Sequence, residues 1–110
     1  MMRPALSSAA SSLYRALVRR AEIGGERLLL VDWHSTDWQS LTFVGERHAA
    51  QLRVLGPDAG AAVDRLCRDL GEVEFTLSGH VVADIALTAP PESNRDGSII
   101  VQMEALTIAE

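Results

Sequence analysis

The residues predict one order of elements twice along this chain: helix, strand, break, strand, turn, strand. The first round runs from about Ser8 to Leu55 and the second from Pro57 to Ile108. The repetition is one of topology, since the two halves do not match residue for residue. It narrows the architecture sharply and the chemistry hardly at all, because function resides in sites and not in folds.

The first helix follows from Leu6, Ala10, Leu13, Leu17 and Ala21, which recur at three- and four-residue steps, with Tyr14 and Val18 widening the stripe. That periodicity buries one helical face. Ser7 or Ser8 can accept a hydrogen bond from a free N–H at the start, and Gly24-Gly25 is the expected stop. Leu28–Trp33 then reads as an apolar strand. The polar break His34-Ser35-Thr36-Asp37 that follows, bracketed by Trp33 and Trp38, is either a hairpin loop or a bulge in one long strand. A loop would bring the two tryptophans face to face. For the next hairpin, burial favours a turn at Glu46-Arg47, with Phe43 opposite Ala50 and Leu41 opposite Leu52. His48, just past that turn, is expected to be exposed.

Gly56-Pro57-Asp58 opens the second helix, since proline suits its first position and aspartate its positive end. Ala59, Ala62, Val63, Leu66, Cys67 and Leu70 form its stripe and Gly71 its stop. The alternation of Val73, Phe75 and Leu77 predicts a strand with one wet face. Ser78-Gly79 breaks it, His80–Ala89 resumes with Val81, Ala83, Ile85 and Leu87 on one face, and Pro90–Gly97 loops to a last strand over Ile99–Ile108.

These elements predict a two-layer α+β domain: a mostly antiparallel sheet of four to six strands with two helices on one face. The 110 residues are expected to form a single domain, with residues 1–7 as a loose tail. Val63, Leu66, Cys67 and Leu70 should pack on Leu41, Phe43, Leu52, Ile85 and Val101. Leu29, Val31, Val82, Ile100, Leu106 and Ile108 fall off the main alternation, which would leave a second apolar sheet face. Faces of that kind mark association surfaces, so a homodimer is expected.

Composition excludes several classes. All ten basic residues are arginine and none is lysine, which removes Schiff-base chemistry and a lysine-dependent phosphate loop. A net charge of −5 argues against nucleic acid and anionic membrane as partners. No apolar run is long enough to span a bilayer. The arginine- and serine-bearing segment Met1–Ala21 reads better as an amphipathic helix than as a targeting peptide. The single cysteine, Cys67, allows no intrachain disulfide and sits on an apolar stripe, in keeping with a reducing cytoplasm. An arginine- and alanine-rich, lysine-free chain points to a GC-rich bacterial coding sequence.

No strong catalytic motif is present. Asp32 with His34, and His80 with Asp84, each share a strand face. Were those strands adjacent, two imidazoles and two carboxylates could converge. No metal-ligand spacing is met, however, so no metal and no cofactor is expected. Asp84, set among apolar neighbours, is expected to pair with Arg53 or Arg47. Trp33, Trp38 and the loop residue Arg95 are the candidates for binding, since tryptophan and arginine are enriched at interaction hot spots. The residues therefore favour a self-associating module that binds a protein or small molecule. A small hydrolase or lyase built on His34, His80, Asp32 and Asp84 is the alternative.

Overall fold

The computed structural model describes residues 6–110, over which the chain runs α1 (Ser8–Ala21), β1 (Leu28–Gln39), β2 (Val44–Val54), α2 (Ala59–Cys67), β3 (His80–Leu87), β4 (Glu92–Ser93) and β5 (Ile99–Ala109). Short 3₁₀ turns at Gly25–Arg27 and Leu70–Glu72 follow the helices. The sheet has the order β1-β2-β5-β3, with every pairing antiparallel, and β4 pairs with the start of β5. The α+β two-layer expectation holds, and each half contributes one helix followed by two long antiparallel strands. The halves join where β2 pairs with β5, from Gly45 opposite Ile108 to Val54 opposite Ile99.

The core lies between the helices and one sheet face. Leu13, Leu17 and Ala21 of α1 and Ala62 and Leu66 of α2 meet Leu28, Leu52, Val54 and Val101, all at most 1% exposed. Ser7 starts α1, its Oγ accepting from the Ala10 N–H at 3.1 Å. At the C-terminal ends the arginines act on backbone carbonyls that the helices leave unpaired. Arg20 of α1 donates to the Leu66 carbonyl oxygen at 3.0 Å and to that of Arg68, while Arg65 of α2 donates to that of Ala21 at 3.0 Å. Each helix thus caps the other's negative end, which suits the helix dipole.

Both edge strands carry a register shift, between Leu30 and Asp32 in β1 and between Val82 and Asp84 in β3. The extra residue swaps the faces beyond it. Trp33 therefore joins Leu28 and Leu30 on the helix side, as Ile85 and Leu87 join Val82. Val31, at the first shift, is left 50% exposed, and Val81, expected on the core face, points away at 46%.

Several expectations are corrected. Of the two alternatives for His34–Asp37 the hairpin loop is wrong and the long strand holds: β1 is continuous to Gln39, its bulge lying earlier, at Val31. The β1–β2 turn is Ser40–Phe43, where the Ser40 N–H donates to the Phe43 carbonyl and Ser40 Oγ accepts from the Phe43 N–H at 3.1 Å. Glu46 and Arg47 are paired strand residues, and Leu41 and Phe43 are exposed instead of lying under α2. Segment 73–77 forms no strand beyond a single Leu77–His80 bridge. Helix α1 is closed by Glu22 in the left-handed region instead of by Gly24-Gly25, and α2 ends at Cys67, before Gly71. Of the expected loose tail, residues 1–5 lie outside the description, while Leu6 packs on the core and Ser7 is the cap.

At Gly45 the neighbouring β5 backbone leaves no room for a side chain. A Cβ there would lie 2.0 Å from the Thr107 carbonyl oxygen on β5. Gly45→Ala must push two strands apart, and overpacking of that kind costs about 1–3 kcal/mol. The expected result is a lower urea midpoint at an unchanged slope.

Candidate functional site: the helix-free sheet face

Strand pairing sorts the polar residues into two sets. On the helix side, Trp33, Ser35 and His48 come together because Trp33 opposes Ala50 and Ser35 opposes His48. The Trp33 Nε1–H donates to His48 Nδ1 at 3.1 Å, and Ser35 Oγ lies 2.8 Å from the same nitrogen. An acceptor Nδ1 leaves the proton on Nε2, which donates to Thr107 Oγ1 at 2.8 Å. His48 is 2% exposed, so the expectation of an exposed residue is wrong. Burial pushes its pKa below the usual histidine value; nearby Glu46 opposes that shift and His80 adds to it. Tyr14 of α1 covers Trp33 edge-on at 6.4 Å between ring centroids. This network joins α1, β1, β2 and β5, with His48 and Thr107 buried at its centre.

The other face carries no helix. Across it, Asp32, Gln51 and Gln102 form one row, and His34, Ala49, Glu104 and Ala86 form the next. The small Ala49 leaves a depression of about 220 Å³, lined by Asp32, His34, Gln51, Thr88, Gln102 and Glu104. His34 Nε2 is 3.1 Å from Asp32 Oδ2, with both side chains largely exposed. Toward the hairpin end come Thr36, Arg47, Leu106 and Asp84, then Trp38, Gly45, Ile108 and Val81. At the opposite end lie Leu29, Arg53 and Ile100.

The expected set of two histidines and two aspartates does not converge. His34 lies on β1 and His80 on β3, the two outer strands, which three spacings of about 4.8 Å hold roughly 14 Å apart, and the register sets His80 five residues further along, opposite Ala109. His80 is engaged locally, its Nδ1–H donating to the Ser78 carbonyl oxygen at 3.1 Å. Asp84 is exposed and makes no ion pair among the described residues; Arg53 instead pairs with Asp96. Among the described residues no group of three or more His, Cys, Asp or Glu side chains could hold a metal.

The binding candidates also separate. Trp33 and Trp38 are an odd number of residues apart in one strand and so point to opposite faces. Trp33 is buried in the core, while Trp38 is half-buried beside Gly45 and Ile108. Arg95 is exposed in the β4–β5 loop, near the β5 start and roughly 30 Å along the strand from Ile108 at about 3.4 Å per residue. That loop is tied down by Asp96, whose Oδ1 accepts from the Ser98 N–H at 2.9 Å and from its hydroxyl at 2.6 Å. Those bonds, with a smaller contribution from Arg53, hold the Asp96 carboxyl below the usual carboxylate range. Cys67 is half-buried against the core; burial first, then Asp64, push its thiol pKa up.

Compared with protein-family models, curated proteins and solved structures, the chain matches none. Among the described residues no helix is long and apolar enough to cross a membrane.

Proposed function

We propose that this protein is a self-associating binding module whose helix-free sheet face docks a second copy of the chain. The observation that carries the reading is the apolar content of that face. Leu29, Ile100, Leu106, Ile108 and Trp38 remain half-buried there, Val81 is 46% exposed, and Phe43 in the adjoining hairpin turn is 54% exposed. An uncovered apolar surface of this extent is an association surface.

The available area suffices. Four strands spaced about 4.8 Å, over nine residues at about 3.4 Å each, present roughly 550 Å² per copy. Two such faces bury about 1,100 Å², which reaches the ~1,000 Å² a specific interface needs. Two sheets packed in this way lie about 10 Å apart. The depression floored by Ala49 supplies a polar seat inside that interface, in keeping with a partner group bound through hydrogen bonds and charge.

Ile108→Asp tests the reading. A carboxylate placed in the apolar end of the contact should convert the dimer to monomer in light scattering, with the circular dichroism of the fold retained. An unchanged dimer mass would place the contact elsewhere. The lysine-free composition and single, half-buried cysteine support a bacterial, cytoplasmic setting. The hydrolase or lyase reading has lost its convergent residues and is not proposed.

A further inference from the structure

We infer that in the dimer the Arg47 guanidinium of each copy enters the other copy's depression and pairs with its Glu104. The inference rests on the self-association just proposed and names the contact that sets its register. Arg47 and Glu104 project from the same helix-free face, and neither takes part in any hydrogen bond or ion pair among the described residues. The other basic residue on this face, Arg53, is already committed to Asp96 and Ser98. Of the two carboxylates lining the depression, Asp32 is engaged by His34, which leaves Glu104 as the open acceptor.

Placement makes the face self-complementary. Arg47 opposes Leu106, one residue pair of the same face along from the Ala49–Glu104 pair that floors and walls the depression. A two-fold axis lying in the interface and crossing the strands between these two pairs carries each arginine onto the other copy's depression. A single axis forms the contact twice, as an isologous interface requires. Arginine reaches across a gap of about 10 Å between sheets better than any other side chain, and its planar fork matches a carboxylate. Gln51 and Gln102 line the seat and can accept the remaining N–H groups. Leu106 and the Trp38–Ile108–Val81 row beside it exclude water from the pair and strengthen it.

The test uses two charge reversals, Arg47→Glu and Glu104→Arg, followed by light scattering alone and after mixing. Each variant alone places like charges together twice per dimer, so its dimer dissociation constant should rise at least tenfold. Mixing the two variants restores both contacts between unlike chains, and an affinity within about threefold of wild type is expected. An intrachain Arg47–Glu104 contact could not give that result, because each variant chain still carries two like charges. Single variants that dimerise as the wild type does would overturn this contact and leave self-association standing. Weakened single variants that fail to recover on mixing would also overturn it. A wild type that is monomeric throughout would overturn both readings. Circular dichroism on each variant confirms that the fold being measured is intact.

Discussion

His48→Leu is expected to destabilise the protein by about 2–5 kcal/mol. The leucine fills the space but accepts nothing from the Trp33 indole N–H and donates nothing to Thr107, which are 7% and 0% exposed. A buried polar group that loses its partner costs about 1–3 kcal/mol, and two are orphaned here. The same residue sets a pH dependence. Burial holds the folded pKa of His48 below its unfolded value of about 6.5, so at intermediate pH the unfolded chain binds the extra proton. Stability is then complete above about pH 6.5. It falls as pH drops below that, by up to about 1.4 kcal/mol per pH unit, until the folded pKa is reached. Protonation would also set an Nδ1–H against the Trp33 N–H. Urea melts between pH 7 and pH 5, followed by tryptophan fluorescence, should show this loss in the wild type. His48→Leu should flatten it, and an equal slope in both proteins would count against the network.

Leu66→Ala is expected to cost a similar amount, roughly 2–5 kcal/mol, since truncating a fully buried leucine loses transfer free energy and leaves a cavity. Leu66 is 0% exposed and sits where α2 meets the sheet. Its backbone carbonyl also takes the Arg20 bond, at 3.0 Å, which the substitution leaves in place. The loss should therefore appear as a lower urea midpoint with the slope unchanged, the mark of a weakened core within the same fold. A midpoint equal to that of the wild type would mean that the buried face of α2 is another one.

Both helices and β5 were legible because each buries one face and leaves the other wet, so a periodicity of 3.6 or 2 is written into the residues. The polar run His34–Asp37 misled because β1 is an edge strand. Its His34 and Thr36 point to the helix-free face, and its Ser35 is satisfied by His48, so polarity there does not signal a turn. Burial alone chose the wrong hairpin register, since it sought cover for Leu41 and Phe43. What fixes the turn is local: Ser40 folds its hydroxyl back on the Phe43 N–H, a pattern typical of serine in turns. Segment 73–77 alternates as a strand does, but Phe75 and Leu77 reach the core without strand pairing.

At the candidate site, the Asp32–His34 pair was visible from its spacing of two, since such residues share a strand face. The depression was not. It depends on Ala49 lying in one row with His34 and Glu104, and that row follows from strand order and from the bulge in β1. His48 escaped for the same reason. Its partners lie on β1 and β5, and only the pairing register brings them to it.

The helix-free face is expected to be covered in solution. Light scattering on the wild type at micromolar concentration tests this without any variant. A mass of twice the chain is predicted, giving way to the single-chain mass on dilution if the dimer is weak. A single-chain mass persisting up to hundreds of micromolar would leave Trp38, Ile100, Leu106 and Ile108 facing water, and would contradict the account.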